Sequence, residues 1–364
     1  MAVQVLTTIW LILVAGLVEG AIRSPLADIG HPAGLYPDCP GVMKNATISP
    51  RMLQQLQLVI HRMVKGELQT KNVPILALPK YLAKDKHFDL KTKKTAIYAP
   101  GFWDTAAMPL NRAIGRAYAR RGYNVLVAET FSFLTYIYPK SVRLSMTIGR
   151  KFGELLVKLY EMGLEPENLE LVGMSLGAQI LSFASKYYYN QTGKKPGKIV
   201  GLDPAGPCFR SLEPADKFNQ NDGEKVVVIH TNMDGFGTAE PLGHVDFYAN
   251  GGEYQPSDIP YLPCLVVCSH MRAMIYWWLA VENPKKFIGI KCDSVQDARY
   301  ANCYNNTDQL NTFGIETDFD KKGIYYLPTN NVFPYYRGRD GLKSENEIYS
   351  SIARIINNDD EFNV

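Results

Sequence analysis

Beyond its first twenty residues the sequence has no apolar run long enough to cross a bilayer. No charge of either sign dominates: 39 Lys and Arg stand against 36 Asp and Glu, a net charge of +3. The basic residues are scattered, with only short clusters such as Lys91, Lys93 and Lys94. That excludes the basic stripe by which proteins grip nucleic acid. There is no C-x-x-C pair, and His270, close to Cys264 and Cys268, has no fourth ligand at a zinc-site spacing. No metal and no cofactor is therefore expected. Internal repeats, low-complexity tracts and a convincing domain linker are absent as well.

What is present is a chain of 364 residues with 46% hydrophobic content, enough for one large α/β domain or two small ones. Residues 1–20 carry a short terminal apolar run, with Val18 and Gly20 at small-residue positions before Ala21. They read as a signal peptide, with an uncleaved anchor as the alternative. Six cysteines and three N-x-S/T acceptors, Asn45, Asn190 and Asn305, agree with a secreted, extracellular and oxidising destination. Six cysteines allow fifteen pairings, and spacing alone selects none.

Residues 21–94 look irregular, with one helix expected at about 51–65. From residue 95 a rhythm begins. Short apolar runs at 96–99, 124–129, 169–174, 198–203 and 225–231 read as buried strands. Helical patterns at 111–121, 142–162, 176–189 and 270–281 lie among them. Apolar strands alternating with helices predict an α/β fold, with a mainly parallel sheet and helices on both faces. The aromatic stripe of 270–281 reads as core. The last stretch, about 343–364, reads as a charged peripheral tail.

One stretch organises the rest. Residues 169–180, LELVGMSLGAQI, run from an apolar strand through G-x-S-x-G into a helix. This is the pattern of a nucleophile elbow. Gly173 and Gly177 flank Ser175 where a Cβ would strike the neighbouring strand or helix. Leu176, at the helix start, is a natural oxyanion donor. Such a serine needs a base and an acid, in the chain order Ser, acid, His. Asp203 closes the apolar run KIVGL and fits the acid. Three histidines follow: His230 and His244, in or beside strand-like runs, and His270, which follows a cysteine-bearing loop at the start of a helix. His270 leads, with the other two open.

At this point the chain resembles the pancreatic-lipase-like neutral lipases of the α/β-hydrolase fold. The resemblance spans roughly residues 66–336. It rests on APGFWD (99–104), GMSLGA (173–178), GLDPAGPCF (201–209), GHVDFYANGG (243–252) and CSHMRA (268–273). It implies Ser175 as nucleophile, Asp203 as acid and His270 as base, with the N–H groups of Phe102 and Leu176 as the oxyanion hole, and it leaves His244 structural. Met174 and Pro100 stand where the family usually has histidine. The resemblance also pairs Cys264 with Cys268 around a lid of only three residues, and Cys292 with Cys303. Cys39 and Cys208 remain by elimination. So short a lid implies an open cleft and little interfacial activation. The short-lid, arthropod-type members lack the C-terminal lipid-binding domain, so docking on a lipid interface or micelle would fall to this domain. Some members carry a structural calcium loop after the acid segment. Asp222 falls within it, but Asn219 stands at a carboxylate position, and calcium is not expected.

The reading is thus a signal peptide followed by a single domain, residues 21–364. Its expected activity is serine-dependent hydrolysis of lipid esters, triacylglycerol or phospholipid (phospholipase A1 type). The alternative is a non-catalytic lipid-binding or storage protein on the same fold.

Overall fold

The computed structural model describes residues 39–258 and 264–346. The signal peptide expected at 1–20 and most of the 343–364 tail lie outside the described residues. Eleven strands form one sheet among the described residues, in the order β10-β9-β11-β8-β7-β6-β5-β3-β4-β1-β2. They are β1 (Gln57–Val64), β2 (Glu67–Pro74), β3 (Thr95–Ala99), β4 (Asn124–Glu129), β5 (Leu169–Met174), β6 (Lys198–Leu202), β7 (Val226–His230), β8 (Val245–Ala249), β9 (Ile288–Cys292), β10 (Leu310–Thr312) and β11 (Gly323–Leu327). The strands from β4 through β11 across the middle run parallel, and β1, β2, β9 and β10 finish the edges antiparallel.

The central strands are apolar on both faces because both are covered. Ile97, Ala99, Leu171 and Ile199 face one core, and Ala96, Tyr98, Val172 and Val200 face the other. The first core is closed by α2 (Tyr138–Glu161) and α3 (Leu176–Thr192). The second is closed by α1 (Pro109–Arg120) and α4 (Val266–Glu282). The aromatic stripe of α4 is core, as expected: Tyr276 and Trp277 are fully buried. This is the α/β-hydrolase arrangement. Among the described residues no helix is long and apolar enough to cross a membrane.

Two expectations are corrected. The helix expected at 51–65 is instead a single turn, Pro50–Leu53, followed by the hairpin β1–β2. Leu56, Leu58 and Ile60 alternate into the first core. The two-residue loop has positive φ at both positions, 51° at Lys65 and 85° at Gly66, the conformation that matches a hairpin's twist. The helix expected at 270–281 begins at Val266, so His270 lies one turn inside it, and a further short helix follows at Val295–Arg299. All three disulfides are formed: Cys264–Cys268, Cys292–Cys303 and Cys39–Cys208.

The segment where the resemblance carries a calcium loop is closed by a lysine. Lys186 of α3 donates to Asp222 Oδ1 at 2.5 Å, to Ser182 Oγ at 2.6 Å and to the Lys217 carbonyl at 2.8 Å. The Asn219 amide donates to the carbonyls of Pro214 and Lys217, at 2.6 and 3.0 Å. Calcium needs several oxygens turned toward one point. Here those oxygens already accept from an ammonium and an amide, so the residues do not fit the ion. Removing the ammonium would strand the buried Asp222 carboxylate. Lys186→Met should cost about 3 kcal/mol of stability in denaturant titration. Chelator should leave the parent's melting temperature unchanged, and a fall on chelation would contradict this assignment.

His61 makes a second prediction. Its ring lies against Gly115 of α1, and among the described residues neither ring nitrogen has a hydrogen-bond partner. Burial, helped by the Arg112 charge, lowers its pKa from 6.5 to about 4. The unfolded chain therefore takes up the proton first. The stability that neutral His61 allows is complete above pH 6.5 and drains away as pH falls toward 4. His61→Leu should flatten the stability–pH curve across that window, and a melting series from pH 7 to about 4 tests it.

Candidate active site

The site forms where parallel sheets place ligands, at the carboxyl ends of the strands. β5 ends at Met174 and α3 begins at Leu176, so Ser175 alone makes the turn, at φ 54° and ψ −121°. The flanking glycines are obligatory. A Cβ on Gly177 would come within 2.1 Å of the Ala99 carbonyl oxygen, and one on Gly173 within 2.3 Å of Ala178 Cα. Ser175 N–H donates to the Leu202 carbonyl at 2.9 Å, which ties the turn to the end of β6.

One residue beyond β6 sits Asp203, with no solvent exposure and a φ of 43°. Its Oδ1 accepts from the N–H groups of Thr231 and Asn232, at 2.8 and 3.1 Å. Its Oδ2 lies 2.5 Å from His270 Nδ1. The carboxylate is thus held from two sides, with one oxygen left for the imidazole. The Phe236 ring meets the His270 ring edge-on, at 5.5 Å between centroids. Ser175 and His270 keep 7% and 8% of their surface exposed.

The other two histidines stand elsewhere. His230 is wedged between Asp246 Oδ1 (2.9 Å) and the Thr238 carbonyl (2.8 Å), and it stacks on Tyr248 at 4.2 Å. His244 Nδ1 accepts from the Val226 N–H, and burial lowers its pKa.

The loop after β3 carries Phe102. A Cβ on Gly101 would fall 3.0 Å from Ser175 Cβ, so this loop passes directly over the serine. Leu176, the first residue of α3, has an N–H without an acceptor one turn back in its own helix. Two carboxylates brace the loop. Glu129, at the end of β4, accepts from Thr105 Oγ1 and from the Ala106 N–H, and Asp104 accepts from the Asn111 amide. Burial raises the Asp104 pKa, and the neighbouring Glu129 adds to the rise.

Sequence reasoning missed these braces. Glu129 had a readable signal, being an acid at the carboxyl end of a buried parallel strand, the same signal that marks Asp203. Thr231 and Asn232 had none, because they act through backbone N–H groups that any residue supplies. The acceptors Asn45, Asn190 and Asn305 are all exposed.

A profile of the lipase family matches residues 77–335. The phospholipase A1 of Vespa velutina is 36% identical over 217 residues, 58% of this chain and 69% of that protein. Phospholipase A1 2 of Dolichovespula maculata is 30% identical over 268 residues, 69% of this chain and 84% of that protein. Lipase member H-B of Xenopus laevis is 30% identical over 224 residues, 59% of this chain and 47% of that protein. The chain thus spans about half the length of the lipase member H relatives that it matches. With the family's profile running from just after the β1–β2 hairpin through the cis Phe333-Pro334 turn, this chain belongs to the lipase family.

Proposed function

We propose that this protein is a secreted serine hydrolase of lipid carboxylic esters, a single domain following a signal peptide, with Ser175, Asp203 and His270 as its triad. The observation that carries the reading is the His270 Nδ1–Asp203 Oδ2 contact of 2.5 Å, with the elbow serine's N–H bonded to the carbonyl of Leu202, the residue before Asp203. That contact fixes the imidazole tautomer with Nε2 free of its proton, and the carboxylate stabilises the imidazolium when it forms.

In this mechanism Ser175 Oγ attacks the ester carbonyl carbon as its proton passes to His270 Nε2. The tetrahedral oxyanion accepts from the N–H groups of Phe102 and Leu176. The C–O bond to the alcohol breaks, and the departing oxygen takes the proton from His270. Water then attacks the acyl-enzyme, giving its proton to His270. Collapse releases the fatty acid and returns the proton to Ser175. Asp203 stays ionised throughout. Phospholipid is the favoured substrate class over triacylglycerol, because the two wasp relatives matched over most of their length are named phospholipase A1.

Docking on a lipid interface has its own support. Trp103, Ile137, Leu265 and Phe333 are 59%, 78%, 60% and 60% exposed. They follow the carboxyl ends of β3, β4, β8 and β11, the end of the sheet where Ser175 sits. Trp103 is held at φ 58°, an unfavourable conformation for a large side chain that points to a use for its exposure.

Ser175→Ala and His270→Ala should each lower hydrolysis of p-nitrophenyl esters and phosphatidylcholine by about 10⁴-fold or more without changing the circular dichroism spectrum. A fluorophosphonate should label Ser175 alone. Near-parental turnover in Ser175→Ala, on folded protein, would sink the reading. Replacing Ile137 and Phe333 together by serine should weaken binding to phosphatidylcholine vesicles at least about 10-fold, since each buried apolar side chain contributes on the order of 2 kcal/mol. Unchanged vesicle binding in a sedimentation assay would remove these residues from the interface.

A further inference from the structure

We infer that Gln255 is a positioning residue for the His270–Asp203 pair, an inference that rests on the catalytic reading above. Gln255 lies in the segment after β8, has no solvent exposure, and among the described residues hydrogen-bonds to neither Ser175 nor Asp203. Every polar group that it has, other than its own carbonyl, is used to join the elements that carry them.

Its side-chain amide donates to the carbonyls of Thr231 and Ala249, at 3.1 and 2.7 Å. Thr231 is the residue whose N–H holds Asp203 Oδ1. The side-chain carbonyl accepts from Asn250 at 2.8 Å and from the Tyr276 hydroxyl of α4 at 3.2 Å. Its backbone N–H donates to Ser269 Oγ at 2.9 Å, and Ser269 in turn donates to the Cys264 carbonyl at 2.5 Å. Gln255 also forms an antiparallel bridge with Cys264, at the foot of the Cys264–Cys268 disulfide.

One carboxamide and one N–H therefore couple the cradle of the acid to the helix of the base. On the acid's side the link runs Gln255, Thr231, Asp203. On the base's side it runs through Tyr276, two turns along α4 from His270, and through Ser269, the residue before it. A single carboxamide that both donates twice and accepts twice is the minimal group for this. Glutamate keeps the shape and the acceptors but has no N–H to give. The two carbonyls of Thr231 and Ala249 would then face a carboxylate, and the cradle would move away from the helix.

The test is Gln255→Glu, assayed on a soluble short-chain ester so that lipid docking is not involved. Positioning predicts a kcat lower by about 10- to 100-fold with KM within about threefold, as expected for misplacement by a fraction of an ångström. The low-field proton resonance of the His270 Nδ1–H should shift or broaden. Parental kcat and resonance accompanied only by a lower melting temperature would overturn the inference, as would a raised KM with kcat unchanged. If Gln255→Glu does not fold, Tyr276→Phe removes one donor to the same amide. A kcat drop of about threefold with a shifted resonance then supports the inference, and no change in either overturns it. Ser175→Ala is run beside both. Parental activity in that control defeats the catalytic reading, whereas the proton resonance still judges Gln255.

Discussion

A carboxylate with no access to water has to be given its hydrogen bonds by the protein, and Asp203 sets that requirement for this fold. Two backbone N–H groups from the end of β7 satisfy one oxygen, and an imidazole from α4 satisfies the other. The donors thus come from two different elements, a strand end and a helix. The strand ends, the loop behind them and the helix must therefore all hold their places for a single buried charge. The sheet provides the fixed side of this arrangement. β6 and β7 are neighbours with Leu202 opposite Ile229, so Asp203 follows Leu202 as His230 and Thr231 follow Ile229, and the donors come within reach without any special device. The helix is the variable side, and the polar contacts concentrate there, around Gln255, Ser269, Tyr276 and the Asn250–Thr329 pair.

The serine is held differently. Its turn depends on what is missing, two Cβ atoms, rather than on what is bonded. The strained backbone at Ser175 is kept by close packing of α3 on β3 and by the tie from Ser175 N–H to Leu202. The proposed acid and nucleophile thus sit on the rigid sheet, while the proposed base comes from a helix set by a polar network. A proton carrier that must face two partners in turn is well served by such a division.

The central sheet was legible because parallel strands buried on both faces must be apolar throughout. NVLVAE and LELVGM therefore matched the observed strands to the residue. The hairpin was not, because MLQQLQLVIHRMV has apolar residues at helical spacing as well as in alternation. The deciding feature was the turn at Lys65-Gly66. The short edge strand β10 has one buried position in three, too little pattern to read. At the site, Ser175 and Asp203 carried local signatures, a glycine-flanked turn and an acid closing an apolar run. The choice among His230, His244 and His270 depended on which ring reaches Asp203 in space, and spacing along the chain holds no such information. Gln255 was invisible for the same reason, since a buried amide in an irregular segment has no periodicity to announce it.

The bond between Cys39 and Cys208 closes a span of 169 residues, with β1 through β6, the elbow serine and the acid inside it. During synthesis Cys39 emerges long before its partner. It must wait as a thiol, or in a temporary bond, until the segment beyond Asp203 has been made. The segment after Asp203 is therefore pinned to the start of the described chain by an oxidation event that cannot come before β1 through β6 have been made. A newly made molecule therefore has this segment in its final bonded state only once an oxidant has closed the bond.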